Sequence, residues 1–155
     1  MIHVEHSDTI DHPAATVFAV LIDIQARPTW QPSISEERIE PTGPARLGSR
    51  IVEIGTFAGH RSEKTLTVTE FEQDRRLTLE TAADARAPFR ERYEIVPLAD
   101  GACRLICSVE IGGVPRIAEF LVRQATTKEL PRMFARLKAV LDGLTLGENP
   151  DRMTG

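Results

Sequence analysis

Between Ile34 and Ile111 the dominant hydropathy signal has a period of two, and short turn-forming stretches punctuate it: PTGPARLG, FAGH, EQDRR, AADARAP and LADG. Period two is the signature of strands with two unlike faces. Connections this short exclude parallel pairing, which needs a crossover of about a dozen residues. The segment therefore reads as an antiparallel meander, with strands over 34–40, 49–57, 61–71, 77–81, 89–97 and 103–111. A nucleotide-binding βαβ fold is excluded.

The flanks complete the architecture. Ile2, Val4 and Ile10 share one parity and predict a first strand whose apolar face also carries His6 and Asp8. Asp11-His12-Pro13 opens a short helix with Val17, Phe18, Leu21 and Ile22 at helical spacing. DIQARPTWQP, with two prolines and the only Trp, predicts a broken second helix or loop. After Gly112-Gly113, Pro115 opens a helical pattern reaching about Leu144, a rod of about 45 Å. Ile117, Phe120 and Leu121 form one apolar arc on it; Leu130, Phe134, Leu137 and Leu141 form a second, displaced around the axis. Pro131 lies between the arcs and predicts a kink that turns both toward the sheet. Gln124 and Thr127 share the side of Phe120, so they are the polar candidates for a cavity lining; the alternative is a helix middle facing solvent. The stretch 147–155 (GENPDRMTG) has no apolar periodicity and reads as a mobile tail beyond a domain over 1–146.

Composition narrows the function classes. At 155 residues the chain is one domain. A net charge of −4 and only eight Phe, Trp and Tyr residues make nucleic acid a poor partner. No apolar run approaches 18 residues, and the N-terminus is too polar for a signal peptide, so membrane insertion is not expected and the reading is cytoplasmic. Cys103 and Cys107, four apart on one strand face, sit about 13 Å from each other and cannot bridge. His3, His6, His12 and His60 have no metal-ligand spacing, and no phosphate, zinc, hydrolase or dinucleotide motif occurs. Neither metal nor cofactor is expected.

IDHPAATVFAVLIDIQARPTWQP resembles the opening signature of the START-like superfamily, in particular its polyketide cyclase/dehydrase and lipid-transport branch. YEIVPLADGACRLICSVEIGG is similar to that branch's hairpin before the closing helix, and LKAVLDGL to the end of that helix. The resemblance covers about residues 2–144. It implies an α+β helix-grip fold: a curved seven-stranded antiparallel sheet wrapped around a long C-terminal helix, with two short helices after strand one. It also implies a cavity between sheet and helix that takes a hydrophobic or amphipathic small molecule, lipid- or polyketide-like.

The candidate ligand-binding residues are Trp30, Tyr93, Phe120, Gln124, Thr127 and Phe134. Trp30 matches the Trp after the family's second short helix and reads either as a cavity-mouth ring or as core. Tyr93 shares a strand face with Ile95 and offers its hydroxyl to the cavity or to the rim. His6 with Asp8, and His60 with Ser62 and Lys64, face the cavity in one register and solvent in another. A three-residue turn at 57–59, favoured by Val52, Ile54, Leu66 and Val68, aims the latter set inward. Three functions remain: a carrier of a hydrophobic small molecule, a polyketide cyclase or dehydratase, and a protein-interaction module with an incidental cavity. An inward, perturbed titratable group separates the enzyme from the carrier.

Overall fold

The computed structural model describes the backbone of residues 1–57 and 59–154 and the side chains through residue 144. Seven strands form one antiparallel sheet: β1 (Ile2–Ile10), β2 (Ile34–Glu40), β3 (Arg50–Phe57), β4 (His60–Glu72), β5 (Arg76–Glu80), β6 (Phe89–Pro97) and β7 (Cys103–Ile111). Their order is β1-β7-β6-β5-β4-β3-β2, so the meander runs unbroken from β2 to β7 and β1 closes on β7. Helix α1 (Ala14–Ile22) and a 3₁₀ helix (Ile24–Thr29) follow β1, and helix α2 (Arg116–Thr154) follows β7. The expected helix-grip architecture is present. The expectation of a tail over 147–155 concerns side chains outside the described residues.

Alternation on the strands explains where the core lies. Ile2, Val4 and Ile10 on β1, Leu77 and Leu79 on β5, Tyr93 and Ile95 on β6, and Cys103, Leu105, Cys107 and Val109 on β7 are all buried on the concave face. Leu130, Met133, Phe134, Leu137 and Leu141 of α2 are pressed into that face. Three contacts hold the same half of α2 in place: Asp8 with Lys138, His12 Nε2 with Asp142 Oδ1 at 2.7 Å, and the His6 ring edge-on to Phe134 at 4.6 Å.

The first half of α2 departs from expectation. Ile117, Phe120 and Leu121 are 92%, 71% and 64% exposed. The helix continues across Pro131, and the two arcs are not both turned to the sheet. Ile117, Leu121 and Gln124 lie on the side away from the buried stripe and Phe120 about a right angle from it on a helix of about 3.6 residues per turn, so seating the lower arc directs the upper one to solvent. Thr126 takes the inner position instead, four residues before Leu130 and seven before Met133.

The β3–β4 hairpin also corrects the sequence reading. Phe57 pairs with His60, leaving two residues between them rather than three. Ile51 therefore pairs with Leu66 and Glu53 with Lys64 on the inner face, while Val52 and Ile54 lie half-buried on the outer one. A one-residue change in turn length exchanges the faces of a whole strand. β3 is also approached closely from outside the sheet. The Ser33 carbonyl oxygen lies 2.1 Å from where a β-carbon on Gly55 would stand and accepts a hydrogen bond from the Thr56 amide at 2.7 Å. Only glycine admits that approach, and it brings the segment after Trp30 across the inner end of β3.

Candidate functional site

The most unusual feature of the interior is a cluster of charges. Arg27 of the 3₁₀ helix is 1% exposed and is surrounded by Glu37 of β2, Glu53 of β3 and Glu91 of β6, each also buried. Its Nη2 donates to Glu91 Oε2 at 2.9 Å and to Gln31 Oε1 at 2.8 Å, and its Nη1 lies 3.5 Å from Glu37 Oε1 and 3.9 Å from Glu53 Oε1. Gln31 Nε2 donates to Glu91 Oε1 at 2.8 Å and lies 3.1 Å from the Tyr93 oxygen. The Tyr93 hydroxyl itself donates to Glu91 Oε1. Lys64 Nζ lies 3.4 Å from Glu53 Oε2 and 3.8 Å from the centroid of the Phe89 ring.

The local sequence explains how these groups converge. In QARPTWQP the 3₁₀ turn closes with the Trp30 and Gln31 amides both donating to the Arg27 carbonyl. That turn sends Arg27, Trp30 and Gln31 inward together. Trp30 is fully buried, with its ring edge-on to Tyr93 at 6.2 Å and the Arg27 guanidinium 5.8 Å from it. Its Nε1 has no hydrogen-bond partner among the described residues.

Two cations, Arg27 and the partly exposed Lys64, against three carboxylates leave one excess negative charge that burial penalises. The cluster resolves this with a proton. Burial first, opposed by Arg27 and reinforced by Glu53, pushes the Glu37 carboxyl up to about 9. Neither Glu37 oxygen, nor Glu53 Oε1, has a hydrogen-bond donor among the described residues. The two carboxyls satisfy one another when a single proton is shared between them, and Glu37 is thereby uncharged at neutral pH. The remaining ions balance, with Arg27 and Lys64 against Glu53 and Glu91. Burial alone would lower the Arg27 pKa, but Glu91, Glu37 and Glu53 raise it further. Burial and the Glu91 carboxylate push the Tyr93 hydroxyl well up, so it is a fixed donor. Cys107 is likewise held as a thiol, chiefly by burial.

A cavity of about 60 Å³ opens above this cluster, between the sheet and α2. Gln31, Glu53, Glu91, Lys64, Thr126 and Glu129 supply its polar lining, and Ile34, Val109, Leu130 and Met133 its apolar lining. It has room for a few water molecules or a small head group. Phe57, Lys64, Phe89 and Ile111 are shared with an adjoining groove of about 210 Å³ whose other walls include Pro88, Val114 and Val122. An apolar groove thus leads to an acidic floor.

The family model for polyketide cyclase / dehydrase and lipid transport matches residues 1–142. The chain belongs to this polyketide cyclase/dehydrase and lipid-transport family. A START superfamily protein from Mycobacterium smegmatis aligns with a TM-score of 0.77 at 16% identity, covering 92% of this chain and 98% of that one. The Zhui aromatase/cyclase from a Streptomyces species aligns with a TM-score of 0.67 at 18% identity over 91% and 92% of the two chains. A norcoclaurine synthase from Thalictrum flavum aligns at 0.69 and 13% identity over 92% and 95%. No curated protein matches the chain. These likenesses establish the fold.

Within that family fold the sequence-derived candidates scatter. Trp30, Tyr93 and Phe134 are buried in the core, with Tyr93 tied into the charge cluster. Phe120, Gln124 and Thr127 are exposed on the outer side of α2, and the Thr127 hydroxyl donates to the Arg123 carbonyl at 2.7 Å. They lie outside the cavity because the upper arc faces solvent. His60 is exposed at the hairpin end. His6 and Asp8 do face α2, but they are engaged by Phe134 and Lys138, and the Lys138 contact holds the Asp8 carboxyl below its usual range. Arg27, Gln31, Glu37, Glu53, Glu91 and Thr126 were not singled out from sequence. No helix among the described residues is long and apolar enough to cross a membrane.

Proposed function

We propose that this protein binds a small amphipathic molecule, with the apolar body in the groove of Phe57, Phe89, Ile111, Val114 and Val122 and the polar end on the floor of Glu53, Lys64 and Thr126. The single observation that carries this reading is the junction of an apolar groove with a small polar cavity. Apolar walls with a few convergent polar groups are what small-molecule sites use. A cavity of about 60 Å³ does not hold a lipid chain, so the chain of any ligand lies in the groove and only its head enters. The aromatase/cyclase and synthase among the structural neighbours are consistent with small organic ligands. Titration with decanol tests the reading. Free ligand at about 100 times its dissociation constant stabilises by roughly 2.7 kcal/mol, which raises the melting temperature by about 5 to 11 °C for this chain length. Absence of any shift with apolar or amphipathic probes overturns it.

A second reading has its own support. Glu37 supplies a neutral carboxyl at neutral pH next to Glu53, and Glu53 lines the cavity beside Lys64. A carboxylate and an ammonium on the cavity, with a neutral acid behind the carboxylate to pass it a proton, are the parts of acid–base chemistry on a carbonyl compound, as in a cyclase or dehydratase. If a poly-β-keto substrate is turned over, Glu53→Gln is expected to cut the rate about a hundredfold or more while Asp8→Asn and His60→Gln leave it nearly unchanged. Equal losses in all three variants count against the assignment.

A further inference from the structure

Resting on the binding reading above, the geometry points to the chemical class of the ligand: we infer that the cavity selects amphipathic primary ammonium compounds, and that the Lys64 side chain occupies the ammonium position until a ligand displaces it. The cavity is lined by three carboxylate residues, Glu53, Glu91 and Glu129, against the single cation Lys64. Lys64 Nζ sits between the Phe89 ring face, 3.8 Å from its centroid, and Glu53 Oε2 at 3.4 Å. An aromatic face opposed by a carboxylate is the setting in which an alkylammonium is held by both cation–π attraction and a charge-assisted hydrogen bond. Here the position is taken by an alkylammonium belonging to the chain itself.

Two observations make this position available to a ligand. The Lys64 side chain is about a quarter exposed (26%) on the lip shared by cavity and groove. Lysine has a flexible four-carbon stem and can turn its charge out to water at low cost. Glu53, by contrast, has only 9% of its side chain exposed, and its Oε1 is turned into the cluster toward Arg27 and Glu37. This buried, anchored carboxylate stays in place when Lys64 leaves. A primary ammonium entering from the groove replaces the Lys64 contacts and leaves its chain along Phe57, Val114 and Val122. A carboxylate or sulfate head instead meets the carboxylates on the floor, and a neutral head makes neither the ring nor the ionic contact.

Calorimetric titration with decylammonium, decanol and decanoate, each below its micelle-forming concentration, tests the inference. The wild-type protein is expected to bind decylammonium within a few-fold of decanol, because its ammonium repeats the contacts that Lys64 gives up, with decanoate weakest. Lys64→Met removes the resident cation but keeps the stem. It is expected to tighten decylammonium binding about tenfold, the size of a partly desolvated cation–π contact, and to leave decanol unchanged. Glu53→Gln added to Lys64→Met is expected to erase the preference for the ammonium. Should the double variant fail to fold, the Lys64→Met result still decides. Unchanged or weaker decylammonium binding in Lys64→Met, or tighter binding of decanoate in the wild type, overturns the inference while decanol binding preserves the broader reading. If none of the three binds, both fail.

Discussion

Replacing Arg27 by Met is expected to destabilise the protein by about 3 to 5 kcal/mol at pH 7, the range seen when one partner of a buried ionic cluster is removed. The size follows from what remains. Glu91 loses the Nη2 contact at 2.9 Å, Glu37 and Glu53 lose the only cation of the 3₁₀ helix near them, and all three stay buried. Methionine fills much of the stem volume, so packing changes little and the deficit is electrostatic. Its pH dependence identifies it as such. Without Arg27 the carboxyls of the folded state hold protons more tightly than those of the unfolded chain, whose values are near 4.3. The folded state then gains relative stability below that pH and loses it as pH rises. The gap between wild type and Arg27→Met, measured by urea denaturation, is therefore expected to shrink between pH 7 and pH 5. A gap of the same size at both pH values assigns the loss to packing and removes the electrostatic account of the cluster.

Most of the fold was legible because it follows from period and punctuation. Strand β2 over Ile34–Glu40, β6 over Phe89–Pro97 and β7 over Cys103–Ile111 have the bounds that alternation predicts. Short turns settled their antiparallel order. Two places failed, both through parity or phase. On β3 the apolar Val52 and Ile54 suggested an inner face, but the two residues between Phe57 and His60 put Glu53 there instead. A buried glutamate opposes the hydrophobic pattern, and only its neighbours Arg27 and Lys64 make it tolerable. On α2 Pro131 predicts a kink that reconciles two arcs, whereas the helix runs on across it with the upper arc in solvent. Extending the lower stripe upward from Leu137, Met133 and Leu130 by eleven, seven and four residues meets Thr126 each time, and that coincidence was available in the sequence.

The charge cluster was the least legible part because its members are scattered. Arg27 and Gln31 lie in a proline-interrupted turn, and Glu37, Glu53 and Glu91 lie on three strands. Each reads individually as a surface residue, since single Arg and Glu side chains are rarely buried. Only the sheet order and the Gly55 close approach, which presses the Ser33 carbonyl onto β3, bring the turn over the inner ends of those strands. One trace existed in the parity of β6. Glu91 shares a face with Tyr93 and Ile95, so assigning Tyr93 inward assigns Glu91 inward too, and a buried glutamate calls for a buried cation.

The shared proton has a measurable consequence for stability. In the unfolded chain the Glu37 carboxyl titrates near 4.5, whereas in the folded protein burial beside Glu53 pushes it to about 9. A carboxyl whose folded value is raised contributes its full stabilisation below the unfolded value and loses it as pH rises toward the folded one. From about pH 4.5 to 9 the wild-type protein therefore loses stability through this group, with a slope of up to about 1.4 kcal/mol per pH unit. Glu37→Gln keeps the shape and a neutral donor facing Glu53 but has no proton to lose. Denaturant midpoints of the two proteins are expected to lie close together near pH 5 and to separate steadily above it, with Glu37→Gln the more stable by pH 8 to 9. The comparison isolates Glu37 because every other titrating group is common to both proteins. Parallel pH profiles remove the shared proton from the cluster, and the excess negative charge around Arg27 would then need a different counter-ion.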